Sequence, residues 1–125
     1  MTNIKKFNSA NLTSAIKTCY NNPDYKLLIV APGFVMPVGL IVIDCISKLY
    51  PDERNKFQIQ PCSISFPNGS HIRIISQSST ARGYRVHKVL ISDMLNAELI
   101  QVLAPMVRDY EEEQRLNEEC NLSRR

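Results

Sequence analysis

Residues 27–43 read LLIVAPGFVMPVGLIVI, a run without a charged or strongly polar side chain. A membrane-spanning helix needs about 20 such residues, and this run is shorter and is broken by Pro32, Gly33, Pro37 and Gly39. Residues 27–31 instead predict a strand that is buried on both faces. The remainder predicts a buried helix from about Val35 or Val38 to Leu49, with a proline in its first turn, where a missing N–H costs little. We therefore expect a strand–helix unit of an α/β domain and no membrane contact.

The segments on either side of this unit supply further elements. Residues 9–22 carry apolar side chains at helical spacing, with Asn8 or Ser9 as the N-cap. Alternating apolar residues flank Pro67-Asn68-Gly69, which predicts a β-hairpin. Residues 86–91 predict another buried strand, and residues 96–110 predict a helix that Pro105 kinks or splits.

The order of these elements predicts the fold class. Helix, strand, helix, hairpin, strand and helix together favour an α/β fold, a three-layer sandwich with a partly parallel sheet, a β-hairpin and flanking helices. The chain has 125 residues, 44% of them hydrophobic, and a net charge of +3. We expect one α/β domain over residues 1–110 and a charged helix end or tail over residues 111–125. A complete large ATPase, synthetase or dehydrogenase does not fit into this length.

The cysteines do not favour a metal site. The chain has four, with no CxxC pair among them: Cys19, Cys45, Cys62 and Cys120. The first three lie in apolar or periodic segments and are expected to be reduced, packed thiols. No local signature of a Ser-His-Asp or Cys-His catalytic arrangement is present.

Three segments, in order, resemble the ATPase domain of phage large terminase subunits, the DNA-packaging motors. They are NPDYKLLIVAP at 22–32, FPNGSHI at 66–72, and STARGYR at 79–85 followed by VLISDM at 89–94. Superfamily 2 helicases have a segment similar to the first. The resemblance implies a partial P-loop NTPase-like fold, in which an Arg-Gly loop leads into a Walker B strand.

The departures from the family pattern predict loss of catalysis. A Walker A loop needs GxxxxGK[ST] to cradle phosphates, whereas residues 7–13 read FNSANLT, without Gly or Lys. Too few residues precede this place for the expected strand, which we predict to be missing. Asp93 lies where the resemblance implies an Mg²⁺ ligand, so it is the candidate metal residue if Mg²⁺ is bound; otherwise it caps the next helix. Met94 replaces the catalytic Glu and cannot act as a general base, so we expect no ATP or Mg²⁺ cofactor.

Basic residues near the third segment are the candidate contacts for nucleic acid or a partner protein: Arg73, Arg82, Arg85 and Lys88. The alternative is ordinary solvated charge. His71 and His87 are expected to face outward from their strands rather than to bind a metal.

These observations favour a non-catalytic, terminase-like protein, phage-encoded and located in the cytoplasm of the infected bacterium. It would bind a protein partner, the packaging motor or a host defence factor, as a regulator or decoy. One alternative is a subunit of a split packaging ATPase with Walker A supplied in trans. Another is a small DNA-binding module, and a fourth is a small α/β domain of other function. A missing first strand would expose a sheet edge, so a homo-oligomer or a hetero-complex is expected.

Overall fold

The computed structural model describes residues 4–31, 35–60, 62–76 and 85–91, and residues 107, 110, 112, 113, 115 and 116. Within these residues the structure has two α-helices, a 3₁₀ turn and six strands. In order they are β1 (Ile4–Lys6), α1 (Ser9–Asn21), β2 (Lys26–Val30), α2 (Val35–Leu49), a 3₁₀ turn (Arg54–Lys56), β3 (Gln58–Gln60), β4 (Ser63–Ser65), β5 (His71–Ile75) and β6 (Lys88–Ile91).

The six strands form one mixed sheet in the order β1-β6-β2-β5-β4-β3. The first four strands in this order run parallel to one another, and β4 pairs antiparallel with both β5 and β3. The α/β class, the partly parallel sheet and the β-hairpin predicted from the sequence are confirmed. β6 lies between β1 and β2, although it is the last of the described strands along the chain.

Helix α1 is flanked by two asparagines, Asn8 and Asn22, that hydrogen-bond to its backbone. The Oδ1 atom of Asn8 accepts from the N–H of Asn11 at 2.8 Å, so Asn8 is the N-cap. At the other end the N–H of Asn22 donates to the carbonyl of Thr18 at 3.1 Å. The buried face of the helix is Leu12, Ala15, Ile16 and Cys19, which are four of the residues whose spacing predicted it.

The hairpin tip is fixed to the end of α1. The side-chain amide of Asn68 donates to the carbonyls of Cys19, Tyr20 and Asn22 at 2.9, 3.0 and 3.2 Å. Ser70 is fully buried, and its hydroxyl donates to the carbonyl of Asn22 at 2.6 Å and accepts from the N–H of Tyr25 at 2.9 Å. The turn after β4 therefore satisfies backbone groups that the helix end leaves open.

Both faces of the sheet are buried. Helices α1 and α2 cover one face, where Leu27, Ile29, Ile72 and Leu90 belong to the larger core cluster. On the second face the smaller cluster contains Leu28, Val30, Val89 and Ile91, and Val107 packs against it. The predicted helix 96–110, which would form the third layer, lies mostly outside the described residues, as does most of the predicted tail 111–125. Residues 110, 112, 113, 115 and 116 are helical.

Two predictions about strands need correction. The strand expected to be missing before α1 is present as β1, which pairs parallel with β6. β1 is a strand because it pairs with β6, and not because of its own hydrophobicity, since only Ile4 of its three residues is buried. The predicted strand 86–91 begins at Lys88, and Val86 forms an isolated parallel bridge with Val107.

The outer surface of α2 carries exposed apolar residues. Leu40 is 64% exposed and Ile41 50% exposed, and one turn further on Asp44 and Lys48 form a surface ion pair at 3.0 Å. Both partners of this pair therefore lie on α2. None of the described helices is long and apolar enough to span a membrane.

Candidate functional site

The junction between β1 and α1 is the place where the terminase resemblance puts the phosphate loop. Only Phe7 and Asn8 separate the two elements. The N–H of Phe7 donates to the carbonyl of Ile91 on β6 at 2.8 Å, and the carbonyl of Asn8 accepts from the N–H of Leu12 at 2.9 Å. The side-chain amide of Asn11 donates back to the carbonyl of Lys6 at 2.8 Å. The carbonyls of Lys6 and Asn8 are thus both engaged by residues of the first turn of α1.

Several predicted site residues cannot be placed. Asp93, the candidate metal ligand, Met94 at the catalytic Glu position, and Arg82 lie outside the described residues. Within the described part of the chain, no group of three or more His, Cys, Asp or Glu side chains could hold a metal ion. The Asp93 and Arg82 assignments therefore stay predictions.

Two of the predicted basic residues meet in a pocket on the second face of the sheet, at the amino ends of β2 and β5. The pocket has a volume of about 280 Å³, and Lys26, His71, Arg73 and Arg85 contribute to its lining together with Leu27, Leu28 and Val86. Lys26 lies opposite His71 in the parallel register, and Leu28 lies opposite Arg73. Arg85 approaches from the segment before β6. We call this group of residues the basic pocket.

Lys88 does not belong to the basic pocket. Side chains alternate along a strand, so Lys88 shares a face with Leu90, which packs under the helices, while Val89 lies on the second face. Burial and the charge of Lys5 lower the pKa of Lys88, while the field of Cys19 opposes this. Of the four predicted basic residues, the three that the structure describes are therefore divided: Arg73 and Arg85 line the basic pocket, and Lys88 lies on the other face of the sheet.

The pKa of His71 reflects the charges around the basic pocket. Partial burial lowers the pKa of His71, and electrostatic interactions with Lys26, Arg73 and His87 lower it further. None of the described residues that line the pocket carries a carboxylate. The described surroundings of His71 therefore disfavour a positive charge on its ring.

His87 lies beside the basic pocket and is buried, 3% exposed, so the prediction that it faces outward is wrong. Its Nδ1 atom accepts from the N–H of Lys26 at 3.0 Å, and Nε2 lies 2.7 Å from a carboxylate oxygen of Glu113. Because a backbone N–H can only donate, Nδ1 is the unprotonated nitrogen and Nε2 donates to Glu113. The ring also contacts Tyr25 and Tyr110, with centroids 5.2 and 5.0 Å away.

Tyr25 and Tyr110 complete this small aromatic cluster. Their rings lie 5.1 Å apart, and the hydroxyl of Tyr110 donates to the carbonyl of Pro23. Burial raises the pKa of Tyr25 to about 12, so its phenol stays protonated. The cluster anchors the helical residues around position 110 beside the basic pocket.

The sequence alone does not indicate that Lys26, His71 and His87 lie together. The strand-to-strand register brings Lys26 beside His71, and no local pattern encodes a register between parallel strands far apart in sequence. Because successive side chains of a strand point to opposite faces of the sheet, alternation alone places Lys88 and Val89 on different faces, and likewise Arg73 and Ile72. The alternation of side chains along each strand is therefore the sequence signal that assigns these basic residues to different faces of the sheet.

The cysteines behave differently from one another. Cys19 is fully buried, and burial raises the pKa of its thiol to about 12, as expected for a packed, unreactive thiol. Cys45 is partly buried, whereas Cys62 is exposed, so the expectation of a packed thiol is wrong for Cys62. Cys120 lies outside the described residues.

Comparisons of the chain with models of protein families, with curated proteins and with solved structures find no match. The terminase resemblance stays a prediction that rests on the quoted motifs.

Proposed function

We propose that the chain is a non-catalytic, terminase-like protein of phage origin that acts in the cytoplasm of the infected bacterium. It binds another protein, the packaging motor or a host defence factor, and so regulates the motor or acts as its decoy. The family motifs quoted above support the relation to the motor. The geometry of the β1–α1 junction supports the absence of catalysis.

The two-residue junction is the observation that carries this proposal. A phosphate loop holds its anion with several free backbone N–H groups at a helix N-terminus. Here the Asn8 side chain takes the N–H of Asn11, and the amide of Asn11 takes the carbonyl of Lys6. A nucleotide at this place would compete with the Asn8 side chain for the N–H of Asn11 and would find neither a glycine-rich loop nor a lysine within residues 7–13.

The outer surface of α2 supports the binding of a protein. Leu40 and Ile41 are large apolar side chains of α2 that are exposed. Ile41 also lines a groove of about 440 Å³ between the start of α1 and α2, together with Phe7, Leu12 and Leu49. Adjacent exposed apolar side chains beside such a groove are typical of protein interaction sites. We assign this surface to the protein partner.

The first experiment measures nucleotide binding and hydrolysis by the purified chain with ATP and Mg²⁺. We expect no hydrolysis above the rate without protein, while an active packaging ATPase assayed in parallel turns over. Hydrolysis by the isolated chain would overturn the proposal. ATP binding without hydrolysis is compatible with the proposal.

The second experiment measures binding of the chain to the purified large terminase subunit of the phage that encodes it. We expect binding that Leu40→Glu combined with Ile41→Glu weakens at least about tenfold, because each charge would have to be desolvated in the interface. Lys56→Glu, on the 3₁₀ turn, is the control. The molar mass of the free chain, measured by light scattering, shows whether a second copy of the chain is the partner. Absence of binding to the motor, with a monomeric free chain, would contradict the motor as partner.

A further inference from the structure

The turn after β4 contains the one Asn-Gly pair of the sequence, Asn68-Gly69. Such a pair is chemically unstable, because glycine has no side chain to keep its backbone nitrogen away from the asparagine amide. In the reaction the nitrogen of Gly69 forms a bond to Cγ of Asn68, the Cγ–Nδ2 bond breaks, and the amide nitrogen leaves as ammonia with the proton of Gly69. Water then opens the cyclic imide at one of its two carbonyls, which leaves aspartate or isoaspartate.

The folded turn holds the amide that has to leave. Nδ2 of Asn68 donates to three backbone carbonyls at the end of α1, at 2.9, 3.0 and 3.2 Å, those of Cys19, Tyr20 and Asn22. Oδ1 of Asn68 accepts from the N–H of Ser70 at 3.0 Å. Every polar atom of this side chain is therefore engaged, and the amide cannot turn toward Gly69 without breaking these hydrogen bonds.

The attacking nitrogen is held as well. The N–H of Gly69 donates to the carbonyl of Phe66 at 3.2 Å, and this hydrogen bond must break before the nitrogen loses its proton. The carboxylate of Asp24 lies at the position that a Cβ of Gly69 would occupy. Its negative charge disfavours a second negative charge on the neighbouring nitrogen. The ring can therefore close only after the turn has opened.

We propose that Asn68 is a site of spontaneous deamidation, that the folded turn suppresses the reaction, and that the reaction permanently marks chains whose turn has opened. The rate in the folded protein is then the fraction of open turns multiplied by the rate in an open chain. Asn68 is half-buried and Gly69 is exposed, so water reaches the imide as soon as it forms.

The product cannot restore the contact with α1. A carboxylate has no N–H to donate, and at position 68 it would face the carbonyl oxygens that the Asn68 amide now contacts. A charged group left among acceptors costs more than the hydrogen bonds that are lost. Chains that have reacted therefore open more readily than before, and the change runs in one direction.

The first experiment compares the full chain with the peptide of residues 66–72, FPNGSHI, as the unprotected reference. Both are incubated in a mildly alkaline buffer with and without urea, and peptide mapping by mass spectrometry follows conversion of Asn68. We expect the native chain to react at least about tenfold more slowly than the peptide, and the chain in urea to match it. Asn55, exposed and followed by Lys56, is the internal control and should react at similar rates with and without urea. Equal rates at Asn68 in the native chain and the peptide, or no reaction in urea, would overturn the proposal.

Two pairs of variants test the protection and the effect of the product. Ser70→Ala removes a hydroxyl that donates to the carbonyl of Asn22 and should speed native deamidation of Asn68 about tenfold, while Ser76→Ala keeps the wild-type rate. Asn68→Asp reproduces one product and should raise the equilibrium constant of urea unfolding at least about tenfold. Asn55→Asp adds the same charge at an exposed position and should change it little. Equal rates in the two serine variants, or equal stabilities of the two aspartate variants, would contradict the proposal.

Discussion

Replacement of the buried hydroxyl of Ser70 should show how much the hairpin tip contributes to stability. Ser70→Ala removes the acceptor for the N–H of Tyr25, at 2.9 Å, and a donor to the carbonyl of Asn22, at 2.6 Å. The carbonyl of Asn22 keeps the amide of Asn68, at 3.2 Å. The N–H of Tyr25 loses its acceptor in a region where Ser70 is fully buried.

The expected loss of stability is the sum of two effects of different size. A buried donor left without an acceptor costs about 1–3 kcal/mol, and a hydrogen bond whose acceptor has a second donor costs about 0.5 kcal/mol. We therefore expect Ser70→Ala to lower the free energy of unfolding by about 2 kcal/mol. For a chain of this size that corresponds to a Tm lower by roughly 8 °C.

Urea unfolding followed by far-ultraviolet circular dichroism measures this loss, since the chain has no Trp to serve as a fluorescent probe. The midpoint should fall at an unchanged slope. Ser76→Ala is the matched control, because Ser76 follows the same strand at its other end and is exposed. A loss below about 0.5 kcal/mol for Ser70→Ala, or one equal to that of the control, would refute the reasoning.

Three other changes test separate parts of the fold. Gly69→Ala should cost at least about 1 kcal/mol in urea unfolding, because Gly69 has φ of +91° and a Cβ there meets the Asp24 carboxylate; undiminished stability would count against this geometry. His71 has a lowered pKa in the folded state, so the unfolded chain takes up the proton first as the pH falls below about 6.5. Stability should therefore drop from pH 7 to pH 5 more steeply in the wild type than in His71→Gln, and parallel profiles would exclude the effect. Iodoacetamide with peptide mapping should modify Cys62 in the native protein and Cys19 only after unfolding; equal rates would contradict the burial of Cys19.

The elements with strong periodicity could be predicted from the sequence. Helix α1, strand β2 and helix α2 bury residues whose spacing identifies them without knowledge of the partners. The hairpin also follows from local chemistry, since Asn68-Gly69 lies between alternating apolar residues. In each case the signal lies within about 15 residues of chain.

The short edge strands could not be predicted in this way. β1 reads Ile-Lys-Lys and β3 reads Gln-Ile-Gln, and neither contains more than one apolar residue. Both are strands because a neighbour offers backbone hydrogen bonds, which is a property of the assembled sheet. The basic pocket has the same origin, because the pairing of Lys26 with His71 follows from register.

The place of β6 in the sheet has a consequence for how the chain reaches its final state. β1 pairs with β6, so Lys6 lies opposite Ile91 although most of the sequence separates the two residues. While the protein is being synthesised, β1 has emerged from the ribosome long before the strand that will hold it. β2 likewise keeps one edge open until residues 88–91 insert beside it. During this interval both strands offer unpaired backbone groups to chaperones or to other nascent chains, and closure of the parallel sheet comes last.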